Sequence, residues 1–153
     1  MSEKSALRDV GLKATVPRMR IFNMLTHAEQ RHMSAEEIYQ RLREESDEIG
    51  LATVYRVLTQ FEFAGLVIRH RFDEGHSVFE INTQEHHDHF VCIHCNRVEE
   101  FVDDLIEQQQ QRIAERLGYR ITDHSLYLYG ECQEIQRNGV CGKCGKVVKA
   151  ATK

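Results

Sequence analysis

Residues 86–95 read His-His-Asp-His-Phe-Val-Cys-Ile-His-Cys, a density of metal-ligand chemistry that no other stretch of the chain approaches. The ligands are of two kinds. Cys92 and Cys95 offer soft thiolates of the sort that hold a structural Zn²⁺, whereas His86, His87, Asp88 and His89 offer harder donors suited to a divalent first-row ion. On a strand, His87 and His89 leave one face and His86 and Asp88 the other, so one segment can feed two sites. A bland reading, in which each histidine is a surface or hydrogen-bonded residue, suits His27, His70, His76 and His94. It suits the cluster poorly, because several protonated imidazoles side by side repel one another unless a metal or solvent relieves them.

A closed tetrahedral zinc site needs two thiolate pairs, and the chain has a second, Cys141 and Cys144, set among glycines as in a zinc knuckle. Cys132, the fifth cysteine, is unassigned by spacing. Residues 1–9 are too polar for a signal peptide and no apolar run is long enough to span a membrane, so a cytoplasmic address is expected. Thiols stay reduced there, which favours metal ligation over disulfides.

The chain has 153 residues and a formal net charge of -4, an unpromising balance for a nucleic-acid binder. The halves differ. Residues 1–72 carry 11 Lys+Arg against 10 Asp+Glu, and the remainder 9 against 14. The acidity therefore lies with the metal ligands, where bound cations offset it, while Lys13, Arg18 and Arg20 form a basic stretch with no acid.

The elements that must position these groups follow from local signals. Thr15 and Pro17 predict a helix start with Ile21, Phe22 and Leu25 inward. Ser34 and Glu37 form a capping box ahead of Ala35, Ile38, Tyr39 and Leu42, with Gly50 closing that segment. Residues 51–61 predict a third helix, with Leu51, Val54, Leu58 and Phe61 inward, Gly65 near its end, and Ala52, Thr53, Arg56, Thr59 and Gln60 outward beside Tyr55. Residues 66–72 and 77–81, joined by a turn at 73–76, predict a β-hairpin. Three helices and a hairpin in that order predict a winged helix. Its outward third-helix face could touch bases or phosphate, although a solvated polar face is the commoner meaning of such a pattern.

Residues 82–85 are polar and aperiodic and mark a boundary. Beyond it, 90–92 and 98–102 predict short strands, Asp103 or Asp104 caps a helix carrying Leu105, Ile106, Gln109, Ile113 and Leu117, and Gly118 ends it. Residues 119–129 alternate as a half-buried strand does. The fold class expected is α+β: residues 1–82 a winged-helix DNA-binding domain, 83–85 a hinge, and 86–153 an α/β metal-binding dimerisation domain with a basic tail at Lys146, Lys149 and Lys153.

Gly11-Leu-Lys-Ala-Thr-Val-Pro-Arg18, His32-Met-Ser-Ala-Glu36, Ile49-Gly-Leu-Ala-Thr-Val-Tyr-Arg-Val-Leu58, His86-His-Asp-His89, the Cys92/Cys95 pair and His124-Ser-Leu-Tyr-Leu-Tyr-Gly130 together resemble the ferric uptake regulators. The resemblance implies a dimeric Fe²⁺-dependent repressor of iron-uptake genes that binds an AT-rich palindromic duplex when metallated, with Mn²⁺ or Co²⁺ as surrogates. It implies a sensor site of His32, Glu80, His87, His89 and Glu100 bridging the two domains, and a second site of His86, Asp88, Glu107 and His124. It also implies that Tyr55 and Arg56 read DNA and that Lys13 enters the minor groove. Peroxide-sensing relatives typically have Asp where Glu80 and Glu100 stand, and zinc-sensing relatives bring a thiolate into the sensor, so iron is favoured. The chain departs from the family at Ile135, where a second Cys commonly follows the one matching Cys132. Either Cys132 serves with one of the later pair, or Cys141 and Cys144 close the site with Cys92 and Cys95. Whether dimers pair into tetramers is left open.

Two other functions fit less well. A zinc hydrolase or deaminase would activate water, but the chain has no His-Glu-x-x-His, and its one proline, Pro17, precludes Pro-Cys-x-x-Cys. A metal-storage protein or chaperone has no use for a winged helix.

Overall fold

The computed structural model describes residues 3–45, 48–73, 75–145 and 147. The chain divides into two compact units, Met1–Glu85 and His86–Lys153. The basic tail at Lys146, Lys149 and Lys153, and Glu74 in the expected hairpin turn, lie outside the described residues.

The first unit contains α1 (Glu3–Asp9), α2 (Val16–His27), β1 (Met33–Ser34), α3 (Ala35–Glu44), α4 (Leu51–Phe63), β2 (Val67–Asp73) and β3 (His76–Ile81). The strands form one antiparallel sheet in the order β1-β3-β2, completing a winged helix. Its core joins Ile21 and Leu25 of α2, Ile38 and Leu42 of α3, and Val54, Leu58 and Phe61 of α4. The capping box forms as expected: Ser34 Oγ accepts from the Glu37 N–H, and the Ser34 N–H donates to the Glu37 carboxylate.

Three local expectations need correction. Thr15 occupies the cap position of α2, but its hydroxyl makes no capping bond. Gly50 does not end α3, whose C-cap is Glu45; it stands at the N-cap of α4. Residues 1–9 had no assigned element, yet residues 3–9 form α1, because Leu7 is wholly buried in the core and gives the segment an apolar anchor.

The second unit contains β4 (Asp88–Cys92), β5 (Val98–Phe101), α5 (Asp104–Leu117), β6 (Tyr127–Gly130) and α6 (Gln133–Asn138). Its sheet runs β5-β4-β6, with β5 antiparallel and β6 parallel to β4. Asp103 caps α5 by accepting from the N–H groups of Leu105 and Ile106, and Gly118 ends it at φ 81°, a left-handed conformation that favours glycine. The strand expected over 119–129 is confined to β6. Its parallel partner supplies a register only from His89–Tyr127 to Cys92–Gly130, so the earlier residues have no ladder to join. The apolar stripe of α5 is largely uncovered within one chain: Leu105 and Leu117 are 69% and 62% exposed.

Candidate metal centres and nucleic-acid face

Cys92 ends β4 and Cys95 lies in the turn that follows, closed by the Asn96 N–H donating to the Cys92 carbonyl at 2.9 Å. Burial works against the Cys92 thiolate, yet the N–H groups of His94, Cys95 and Cys132 and the Cys95 thiol donate to its sulfur, and its pKa falls to about 7. Burial pushes the Cys95 thiol up. Its bonds to Cys144, Cys92 and Cys141 raise it further, the Arg97 N–H opposing, to about 12.

Cys141 is fully buried, and its sulfur and those of Cys92 and Cys95 all lie within 4.8 Å of one another. The Cys95 and Cys141 sulfurs are 3.7 Å apart. Thiolates each about 2.3 Å from a tetrahedral Zn²⁺ stand about 3.8 Å from one another, so this separation matches an edge of such a tetrahedron. Cys144 is exposed and hydrogen-bonds Cys95. Two ties hold the second thiol pair against β5: Arg97 donates to the Lys143 carbonyl at 2.6 Å, and the Lys143 ammonium lies 3.6 Å from Glu99. Cys132 contributes its backbone N–H to Cys92, while its thiol is not among the clustered donors. The geometry gathers three thiols, Cys92, Cys95 and Cys141, within reach of one ion.

The second donor set gathers around Asp88 at the start of β4. His86 Nε2 stands 3.4 Å from Asp88 Oδ1 and 3.3 Å from Glu107 Oε1, and His124 Nε2 stands 3.2 Å from the same Glu107 oxygen. Nitrogen and oxygen donors about 2.1 Å from one ion stand about 3.4 Å apart in a tetrahedron and about 3.0 Å apart at right angles. All three separations fall in that interval. Asp88 is 1% exposed, and neither carboxylate oxygen has a hydrogen-bond partner among the described residues. A buried carboxylate in that condition is costly unless a cation faces it, so the donor set fits a divalent ion.

The other candidate donors divide between the two units. In the second, the His87 and His89 rings lie 4.9 Å apart and His87 Nε2 is 4.0 Å from Glu100 Oε1. In the first, His32 just before β1 and Glu80 on β3 are both 2% exposed, with His32 Nε2 3.1 Å from Glu80 Oε2. His70, given the bland reading from sequence, is a buried third member: its Nε2 lies 2.7 Å from Glu80 Oε1. Strand alternation could have found it. In the hairpin register Ile68 opposes Glu80 and His70 opposes Val78, which puts Glu80 and His70 on one face of the sheet. His94, also given the bland reading, pairs with Glu131 at 2.9 Å.

On the outward face of α4, Tyr55 and Arg56 are exposed. The Tyr55 hydroxyl donates to Glu36 Oε1 on α3, a bond that holds the phenol pKa up. Sequence reasoning missed Glu36, which only the packing of α3 on α4 brings to Tyr55. Arg18 is partly buried; it donates to Gln60 Oε1 at 2.9 and 3.2 Å and to the Lys13 carbonyl at 2.9 Å. Its guanidinium thereby walls a cavity of about 260 Å³ that Thr15, Thr53 and Arg56 also line. Lys13 and Arg20 are exposed.

The ferric uptake regulator family profile matches residues 9–129. The chain belongs to the ferric uptake regulator family. It is 55% identical over 136 residues to the ferric uptake regulation protein of Legionella pneumophila, covering 89% of this chain and all of that one. The crystal structure of the Vibrio cholerae ferric uptake regulator matches with a TM-score of 0.80 at 56% identity, over 84% of this chain and 98% of that one. The Pseudomonas aeruginosa ferric uptake regulator, solved with manganese, matches with a TM-score of 0.73 at 53% identity, over 87% and 99%. As a ferric uptake regulator the chain is a transcription regulator and not an enzyme.

Proposed function

We propose that this ferric uptake regulator is a cytoplasmic, Fe²⁺-responsive repressor of iron-uptake genes, acting as a homodimer on an AT-rich palindromic operator. Residues 1–82 bind DNA, 83–85 are the hinge and 86–153 dimerise. His32 and Glu80 from the first unit, with His87, His89 and Glu100 from the second, hold the sensor ion. One ion held by both units fixes the angle between them. In a dimer that angle sets whether two α4 helices meet successive major grooves, roughly 34 Å apart. Metal and DNA then raise each other's affinity by the same factor, and no covalent step is involved.

The observation that carries this reading is that each unit buries hard donors: His32 with Glu80 in one, His89 in the other. Mixed nitrogen and oxygen ligation suits Fe²⁺, with Mn²⁺ or Co²⁺ as surrogate. The thiolates of Cys92, Cys95, Cys141 and Cys144 hold Zn²⁺, and His86, Asp88, Glu107 and His124 hold a second divalent ion. The uncovered α5 stripe of Leu105, Ile113 and Leu117 supports self-association through the second unit. On the DNA side, Lys13 enters the minor groove and Tyr55 and Arg56 meet base edges. Thr53 and Arg20 reach the backbone, and Arg18 shapes the cavity beside them. The test is binding to a palindromic AT-rich duplex with sensor metal present and withdrawn.

A further inference from the structure

Glu80 is gripped by two imidazoles, one on each oxygen, and the two distances differ in kind. His32 Nε2 lies 3.1 Å from Oε2, within the 3.0–3.4 Å that separates two donors of one first-row ion. His70 Nε2 lies 2.7 Å from Oε1. That is shorter than the ideal separation of two donors on one such ion, and it is the length of a charge-assisted N–H···O bond. A carboxylate can only accept, so His70 donates.

The rest of the environment fits a residue built to orient. The His70 ring is 6% exposed and stacks on Phe72, centroids 5.5 Å apart and planes 4° from parallel, so the ring cannot turn its Nε2 away. Both residues stand on β2, and Glu80 sits on the adjacent β3, held by the hairpin ladder.

From this we infer that His70 is a positioning residue for the sensor ion: it anchors Oε1 of Glu80 and leaves Oε2 turned to the metal beside His32. The inference rests on the sensor reading above and adds to it a residue outside the ligand set. Partners of ligating groups are typically worth 10- to 100-fold in metal affinity.

The experiment titrates Co²⁺ into the zinc-loaded full chain and follows the d–d bands that His32→Ala abolishes. His70→Ala is expected to weaken that site 10- to 100-fold while leaving band positions and intensity at saturation unchanged. His70→Gln, whose amide can still donate, is expected to recover most of the affinity. A changed spectrum at saturation in His70→Ala would mean a lost ligand, and unchanged affinity would mean mere packing; either overturns the assignment. Metal-free melting of both variants separates a folding defect from an affinity defect: an affinity loss that tracked melting and was not relieved by glutamine would also overturn it. Failure of the wild-type protein to show bands dependent on His32 would sink the sensor reading itself, a result distinct from those.

Discussion

The sulfurs of Cys95 and Cys141 lie 3.7 Å apart although the residues are 46 positions apart in the chain, a separation that matches the edge of a zinc–thiolate tetrahedron. Cys141→Ser is therefore expected to abolish bound zinc and lower the melting temperature, whereas Cys132→Ser, which keeps the backbone N–H to Cys92, retains one zinc per chain. Elemental analysis of the two purified variants checks this. Zinc lost from Cys132→Ser and kept in Cys141→Ser would reverse the ligand assignment.

Zinc uptake has a pH dependence with a definite sign. In the metal-free fold Cys92 is depressed to about 7 and Cys95 raised to about 12. The depressed group contributes stability above the ordinary thiol value, lost as pH falls from there through about 7. The raised group contributes stability below the ordinary value, lost as pH climbs toward about 12. A Cys95 thiol raised to about 12 must give up its proton to ligate, so zinc uptake should release protons and tighten with rising pH. Calorimetry in buffers of different ionisation enthalpy measures the release, and uptake with no proton released would contradict ligation by Cys95.

Asp88 is buried without a hydrogen-bond partner for either oxygen among the described residues. Asp88→Asn should stabilise the metal-free protein by about 1–3 kcal/mol. The same change should erase the melting-temperature rise that added divalent metal gives through this site. A destabilised metal-free variant would indicate that the carboxylate has a structural partner.

Arg56 is exposed on α4. Arg56→Ala should weaken operator binding by about 1–3 kcal/mol and leave metal stoichiometry and melting unchanged. Anisotropy titration beside metal analysis distinguishes this from a folding role, in which both would fall together.

What could be read from the chain was what local chemistry decides. Ser34 with Glu37, and Asp103 with Gly118, name helix ends because cap and partner are neighbours in sequence. The two-residue strand β1 could not be read, since it exists only through pairing with Phe79 and Val78. The same limit hid His70, whose meaning depends on the β2–β3 register, and Glu36, which meets Tyr55 only when α3 packs on α4. Closure of the thiolate set is likewise a tertiary matter: spacing pairs Cys141 with Cys144 but leaves Cys132 unassigned. Periodicity on α5 announced an apolar face, but not that a single chain would leave Leu105 and Leu117 uncovered.

The central claim is that sensor metal and operator bind as linked ligands. Its most direct test is titration of an AT-rich palindromic duplex with the zinc-loaded dimer, in saturating Mn²⁺ or Fe²⁺ and again in a chelator that leaves the thiolate zinc in place. Binding with metal, release in chelator, and a metal affinity raised by DNA by the same factor are the expected results. Equal duplex affinity in the two conditions would contradict the account.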